Sequence, residues 1–303
     1  MKNCPICESS SNTLLNKLDT KTIIKDYSDM FSINVSFVLS KYDYIYCYEC
    51  ATCDYSYFYP RDITGNDTFY EQLEKFPWYY MKYKWEHNIA EKYIKNGDKI
   101  LEIGCAKGDF IKKVSEKKNI IAEGLELNNS AISIARKQGI KVYSNTIEEF
   151  SKNNLEKYDV VCSFQVLEHV ADPKSMIKAS IDTLKVGGLL IIGIPNNDSF
   201  ISRDLVPTLN IPPHHMGLFH EKTFKKIQHI YKIKLEKIEI EPLQNYHFGY
   251  FVYIHIGQHI KKLRFVGKVI NKLAFFLAYP LLILCSKSIK GHTMVAIYKK
   301  IES

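Results

Sequence analysis

The chain has no uninterrupted apolar run of the ~20 residues that a spanning helix requires. Its longest such stretch, LAFFLAYPLLILC at 273–285, is shorter and contains Pro280, so it is read as not crossing a membrane. Lys261, Lys262, Arg264, Lys268 and Lys272 precede it and Lys287 and Lys290 follow. Packing in the core or at a homodimer interface is the first expectation, and peripheral contact with an anionic membrane surface is the alternative. The start, MKNCPICESS, lacks the pattern of a secretory signal or a transit peptide, so a cytoplasmic location is expected. Internal repeats and low-complexity segments are also missing. So is a concentrated basic block: the net charge of +8 comes from scattered lysines, a solvated surface that favours approach of anionic small molecules. Nucleic acid is not an expected partner. With 46% hydrophobic and 24% charged residues the 303-residue chain is not disordered, and its length fits a catalytic-size core plus one smaller module.

Five of the eight cysteines fall within residues 1–60. In a reducing compartment paired cysteines are better metal ligands than disulfides. Cys4 and Cys7 in CPIC form one pair and Cys50 and Cys53 in CATC the other, four thiolates suited to a closed, tetrahedral structural Zn2+ site. Cys47 with Cys50 is the alternative second pair. Alternation in VSFVLSKYDYIY and YSYFYP predicts short strands, so residues 1–60 are read as a small β-rich zinc module. Residues 61–96, with Trp78, Trp85 and several tyrosines at helical spacing, are expected to form a helical linker covering part of a cleft.

From 97 to 303 short apolar strands alternate with amphipathic helices, which predicts an α/β fold with a mostly parallel sheet covered on both faces. The last strand is HTMVAIYKK, preceded by a helical insertion at about 243–290. In LEIGCAKGDF a strand ending at Glu102 runs through Gly104, Cys105, Ala106, Lys107 and Gly108 into a helix. Glycine there permits a tight turn and close approach to a ligand. The third glycine of a dinucleotide fingerprint is absent. Glu126 ends the next strand in IIAEGLEL, where a carboxylate can accept from both ribose hydroxyls of either NAD or S-adenosylmethionine.

YDVVCSFQVLEHVADP and LKVGGLLIIGIPN distinguish these two cofactors. From about Lys99 to Asn196 the ordered set of motifs resembles the class I S-adenosylmethionine-dependent methyltransferases, with Ala106 where that family usually has glycine. The resemblance implies a seven-stranded sheet. It also implies that Glu102 and Gly104 lie near the methionine half of the cofactor, and that Cys105, Ala106 and Gly108 of the same loop are cofactor-binding residues. Glu126 and its neighbour Leu127 fall at the ribose, Thr146 and Ile147 beside the adenine, and Phe164 and Gln165 near the reacting end.

NIPPHHMGLFHEKTF resembles a stretch of many small-molecule and sugar methyltransferases, with His215 on the family histidine; His214 is its reserve, and His169, oriented by Glu168, a second candidate base. The cysteine module resembles the N-terminal zinc-binding part of certain sugar C-methyltransferases, in which glycine follows each pair where this chain has Glu8 and Asp54. These likenesses imply a methyltransferase acting on a small molecule, with O-methylation of a sugar or sugar nucleotide expected first. C-methylation of a keto sugar, RNA or protein methylation, and a non-catalytic binding module are the alternatives. The N/D-P-P-aromatic signature and a Pro-Cys nucleophile are both missing, which argues against the polymer substrates.

Overall fold

A computed structural model of the chain describes residues 3–76, 79 and 81–302. The N-terminal part runs β1 (Asn12–Asp19), α1 (Thr20–Phe31), α2 (Ser36–Leu39), β2 (Tyr44–Cys50) and β3 (Ser56–Tyr59). Helices α3 (Asp67–Leu73) and α4 (Trp85–Tyr93) follow, and Trp78 lies outside the described residues. The alternating part comprises β4 (Lys99–Ile103), α5 (Asp109–Lys117), β5 (Ile121–Leu125), α6 (Asn129–Lys137), β6 (Lys141–Tyr143), α7 (Ile147–Ser151), β7 (Tyr158–Phe164), α8 (Pro173–Thr183) and β8 (Leu184–Pro195). It ends with β9 (Gly217–Leu218), α9 (Glu221–Ile227), β10 (Ile233–Pro242), α10 (Phe248–Val252), α11 (Gln258–Ile260), α12 (Arg264–Cys285) and β11 (Lys290–Lys300).

The larger sheet has seven strands in the order β10-β11-β8-β7-β4-β5-β6. Only β11 runs antiparallel to its neighbours. Its central strands are apolar on both faces, and the period-2 alternation sends adjacent residues to opposite sides. Ile100, Val160, Ile191 and Val295 join α4 and α5 on one side. Leu101, Val161, Ile192 and Ala296 join α8 and α9 on the other. Because β4 is flanked by β5 and β7, chain connections leave in opposite directions beyond its carboxyl end. A crevice opens there.

The N-terminal part departs from the expected β module in two ways. TKTIIKDYSDMF is a helix, because Ile23 and Tyr27, four residues apart, are buried together and Asp19 caps its start by accepting from the Thr22 amide. The stretch around VSFVLS likewise forms the short α2 rather than a strand. Its sheet, in the order β1-β2-β3-β9, borrows its last strand from residues 217–218. The cysteine-bearing end is continuous with the main core: Cys4, Ile6, Cys50, Tyr55 and Tyr57 pack in the same cluster as Leu101 and Val161.

Expectations for the apolar insertion also need correction. The helix is not limited to residues 273–285. It runs for 22 residues from Arg264 and passes through Pro280. Nor is it a core helix: Phe265, Leu277 and Leu284 are each at least three-quarters exposed, at 77, 79 and 77%. A thin inner stripe of Ala274, Phe275, Ala278 and Leu282 packs against Phe248 and Val252 of α10. Among the described residues this is the one helix long and apolar enough to cross a membrane. Counting uninterrupted apolar letters missed it, because Lys268 and Lys272 break the run while the helix continues.

Candidate active site

The carboxyl ends of β4, β5 and β7 open into a cleft of about 1190 Å3, room for a cofactor and an acceptor together. Glu102, Gly104, Cys105, Ala106, Glu126, Leu127, Thr146, Ile147, Phe164 and Gln165 all line it. Gly108 does not. It sits behind the loop as the N-cap of α5 with φ +81°, and a Cβ there would meet the Ile140 side chain at 2.2 Å. Its part is therefore the turn itself, not contact across the cleft. Gly104 has φ +70°, and a Cβ would lie 2.4 Å from Val166.

Ala106 takes the left-handed conformation, φ +46°, that glycine adopts without penalty. The penalty for an L-residue, about 1–2 kcal/mol, is offset by a hydrogen bond from its amide to Glu126 Oε2 at 2.9 Å. The other oxygen of Glu126 accepts from the Leu127 and Asn128 amides at 2.8 and 2.9 Å. Three of its four lone-pair positions are then taken, and Oε2 keeps one for a further donor such as a ribose hydroxyl. Thr146 caps α7 by accepting from the Glu149 amide.

The residues fit a cationic, nucleoside-bearing cofactor. Glu102 is 4% exposed and its Oε2 has no partner. Burial first, then Glu126 and Asp109, pushes its carboxyl well above the ordinary range. An ammonium group would satisfy that oxygen. Gln165 adopts φ +56° and donates to Glu86 Oε1 at 3.3 Å. Glu86 and His87 of α4, and Tyr70 and Tyr79 nearby, also line the cleft.

His169, His214 and His215 line the same cleft and touch one another, with ring centroids 4.4 to 4.9 Å apart. Their tautomers follow from their partners. His169 Nδ1 donates to the His214 carbonyl at 2.6 Å and His214 Nδ1 to the Leu209 carbonyl at 2.7 Å. His215 Nδ1 lies 2.9 Å from Asn210 Oδ1. Asn210 donates its amide to Asn197 Oδ1, and Asn197 in turn donates to the Pro195 and Phe219 carbonyls. A carbonyl only accepts, so this chain fixes Asn210 Oδ1 as acceptor and His215 Nδ1 as donor. All three rings then carry a lone pair on Nε2. Burial keeps them neutral: it pulls His169 down to about 4, and His214 and His215 well below the usual histidine range.

Glu168 does not orient His169 as expected. Its Oε1 lies 3.9 Å from His169 Nε2, beyond hydrogen-bonding distance, and both of its oxygens are buried without a partner. Burial pushes its carboxyl up to about 8.

The four cysteines of the two CxxC pairs converge, with Cys4 Sγ 3.5 Å from Cys53 Sγ and Cys7 Sγ 3.4 Å from Cys50 Sγ. All four lie within 4.8 Å of one another. Cys47 belongs elsewhere: three residues before Cys50 on β2 it points to the opposite face, into the cluster with Ile45 and Phe58. Glu8 and Asp54, which follow the pairs, have φ +61° and +53°, the region glycine favours, and each closes its knuckle by donating to the Cys4 or Cys50 carbonyl at 2.9 Å. Each also pairs with a lysine of the main domain, Glu8 with Lys174 at 2.6 Å and Asp54 with Lys226 at 2.7 Å. The side chains that replace glycine dock the knuckles onto α8 and α9.

A family model described as a methyltransferase domain matches residues 78–232, half of the chain. The chain is 32% identical over 108 residues to a ubiquinone biosynthesis O-methyltransferase of Shewanella sp. (strain ANA-3), covering 34% of this chain and 45% of that protein. A protein of the same name from Pasteurella multocida is 30% identical over 115 residues, covering 33% and 47%. The chain thus spans less than half the length of the curated relatives it matches. Among solved structures, a SAM dependent methyltransferase from Archaeoglobus fulgidus is similar with TM-score 0.48 and 20% identity, covering 71% of this chain and 94% of that one.

Removing the Glu126 carboxylate deletes a charge-assisted acceptor of about 1.5–3 kcal/mol. Calorimetric titration of Glu126→Ala with S-adenosylhomocysteine should therefore show a Kd raised about 10- to 100-fold over the parent; an unchanged Kd would remove Glu126 from the cofactor site. On the family match and the strand order together, the chain belongs to the methyltransferase-domain family, and its core has the class I S-adenosylmethionine-dependent methyltransferase fold.

Proposed function

We propose that the chain transfers a methyl group from S-adenosylmethionine to a hydroxyl of a small molecule. The observation that carries this reading is the meeting, in one cleft, of the glycine loop with three neutral histidines whose Nε2 lone pairs are free of their backbone anchors. The cofactor, when bound, supplies a carbon already activated by a sulfonium. What remains for the chain is to align the acceptor and accept its proton. His215 Nε2 is the proposed proton acceptor, held through Asn210 and Asn197, with His214 and His169 beside it. The O-methyltransferase names of the curated relatives support oxygen as the site of methylation. For the acceptor we propose a sugar or nucleotide sugar: Tyr70, Tyr79, Tyr246 and Tyr250 offer ring faces and hydroxyls, and Lys82 and Lys84 offer cations for a phosphate.

His215→Ala should lower turnover at saturating substrate by about 100-fold or more and leave S-adenosylhomocysteine affinity near that of the parent. Near-parental turnover would remove it as the base. Product analysis by mass and linkage then identifies the methylated atom; a carbon- or nitrogen-linked methyl would sink the O-methylation reading.

For Cys4, Cys7, Cys50 and Cys53 we propose a structural zinc ion, available in a reducing cytoplasmic setting. The supporting features are the sulfur spacing and the two glycine-like knuckle turns. Because these cysteines pack in the main core, release of the ion by a thiol-specific mercurial should lower the unfolding temperature of the whole chain in one transition. An unchanged transition, or protein isolated with no metal on these thiols, would argue against it.

For α12 we propose an anionic bilayer surface as the occupant. The helix presents Phe265, Leu277, Leu281 and Leu284 outward, and exposed Lys262, Lys268, Lys272 and Lys287 along it and at its ends complement acidic headgroups. Its inner stripe packs on α10, whose Tyr250 lines the cleft, so docking would set the cleft mouth beside the bilayer. The protein should co-float with vesicles of acidic phospholipid, and Leu277→Asp with Leu284→Asp should abolish this. No flotation together with a concentration-dependent dimer lost in the same variant would assign the face to a second copy.

A further inference from the structure

The histidine cluster carries more than a single base needs. A ring nitrogen from each of His169, His214 and His215 lies within 4.8 Å of one from the others. Each ring spends Nδ1 on an oxygen: the His214 carbonyl, the Leu209 carbonyl and Asn210 Oδ1. That is the outer-shell arrangement that fixes a metal-ligating histidine, with the second nitrogen left as donor to the ion. Of the three Nε2 atoms, that of His214 accepts from the Tyr79 hydroxyl at 2.8 Å, which would give way to an ion or join it. A separate observation points to the same place. Glu168 is 1% exposed, and both carboxylate oxygens are buried without a hydrogen-bond partner, one of them 3.9 Å from His169 Nε2. A buried carboxylate in that condition is costly unless a positive group meets it.

We infer that His169, His214 and His215 bind a divalent first-row transition-metal ion in the cleft, with the buried Glu168 carboxylate behind His169 as its counter-charge. Three imidazoles suit ions of the zinc and iron(II) class rather than magnesium or calcium, which prefer all-oxygen sites. The site is distinct from the four thiols, which lie in the N-terminal knuckles. The inference rests on the reading of this cleft as the acceptor side of a methyl transfer and deepens it. An ion here would lower the pKa of an acceptor hydroxyl beside it and let its proton pass to water in the cleft; His215 Nε2, its lone pair then held by the ion, is the proton acceptor only when no ion is present.

The test uses the full chain with zinc retained on its thiols after dialysis against a mild chelator, titrated with Co2+. The expected result is one cobalt equivalent with ligand-field bands but no thiolate-to-cobalt charge transfer. In His215→Ala the affinity for Co2+ should fall at least tenfold, and in Glu168→Gln it should fall with the fold intact, as judged by S-adenosylhomocysteine binding. Absence of cobalt bands in parent protein that binds S-adenosylhomocysteine would overturn the inference. So would bands that persist unchanged in His215→Ala. Cobalt binding by parent protein that does not bind S-adenosylhomocysteine would leave the metal site standing and reject the methyl-transfer reading instead.

Discussion

The strap at residues 211–218 is the constraint on which the acceptor side of the cleft depends. It carries His214 and His215, yet it has little regular structure of its own beyond the two residues of β9. Backbone hydrogen bonds hold it from three directions: the Met216 amide to the Glu168 carbonyl at 2.7 Å, the Phe58 amide to the Met216 carbonyl at 3.1 Å, and the Gly65 amide to the Pro213 carbonyl at 2.8 Å. Pairing of β9 with β3, the strand that carries Phe58, extends the second of these ties. One of these three partners, Phe58 with its strand β3, belongs to the cysteine-bearing part of the chain. That part is thus a splint for the histidines, and its knuckles, docked by Glu8 and Asp54 onto α8 and α9, keep the splint fixed.

The cleft between the splint and the glycine loop is electrostatically unusual. Three neutral imidazoles face it, and Glu86, Glu102 and Glu168 are all buried with carboxyl groups raised by the loss of solvent. Buried acids of this kind cost stability unless a ligand repays them. Glu102 stands where a cofactor's ammonium group would be met, and Glu168 stands at the histidine cluster. Glu102 keeps one buried oxygen without a partner at the glycine loop, and Glu168 keeps two behind the histidine cluster.

Local chemistry decided how much of this was legible in the sequence. The β4 loop, the Glu126 strand end and the β7 motif were readable because glycine placement, a terminal carboxylate and a buried strand each leave a signal within a few neighbouring residues. The CxxC pairs were readable for the same reason. What escaped depends on contacts distant in sequence. β9 is two residues long and has no periodicity to detect; it is a strand only because β3 lies beside it. Glu86 and His87 sit in an aromatic-rich helix where nothing local marks them as cleft residues. The turn role of Gly108 depends on Ile140, thirty-two positions away. The α12 helix was misread because its lysines interrupt an apolar run in one dimension but not along a helical face.

A crystal structure of the full chain with S-adenosylhomocysteine would show whether the cofactor lies between the glycine loop and the histidines. The ribose is expected on Glu126, the amino-acid end at Glu102 and Gly104, and the sulfur facing the side of the cleft formed by Gln165, His169 and His215. A ligand bound elsewhere, or one whose sulfur faces away from the histidines, would contradict this placement.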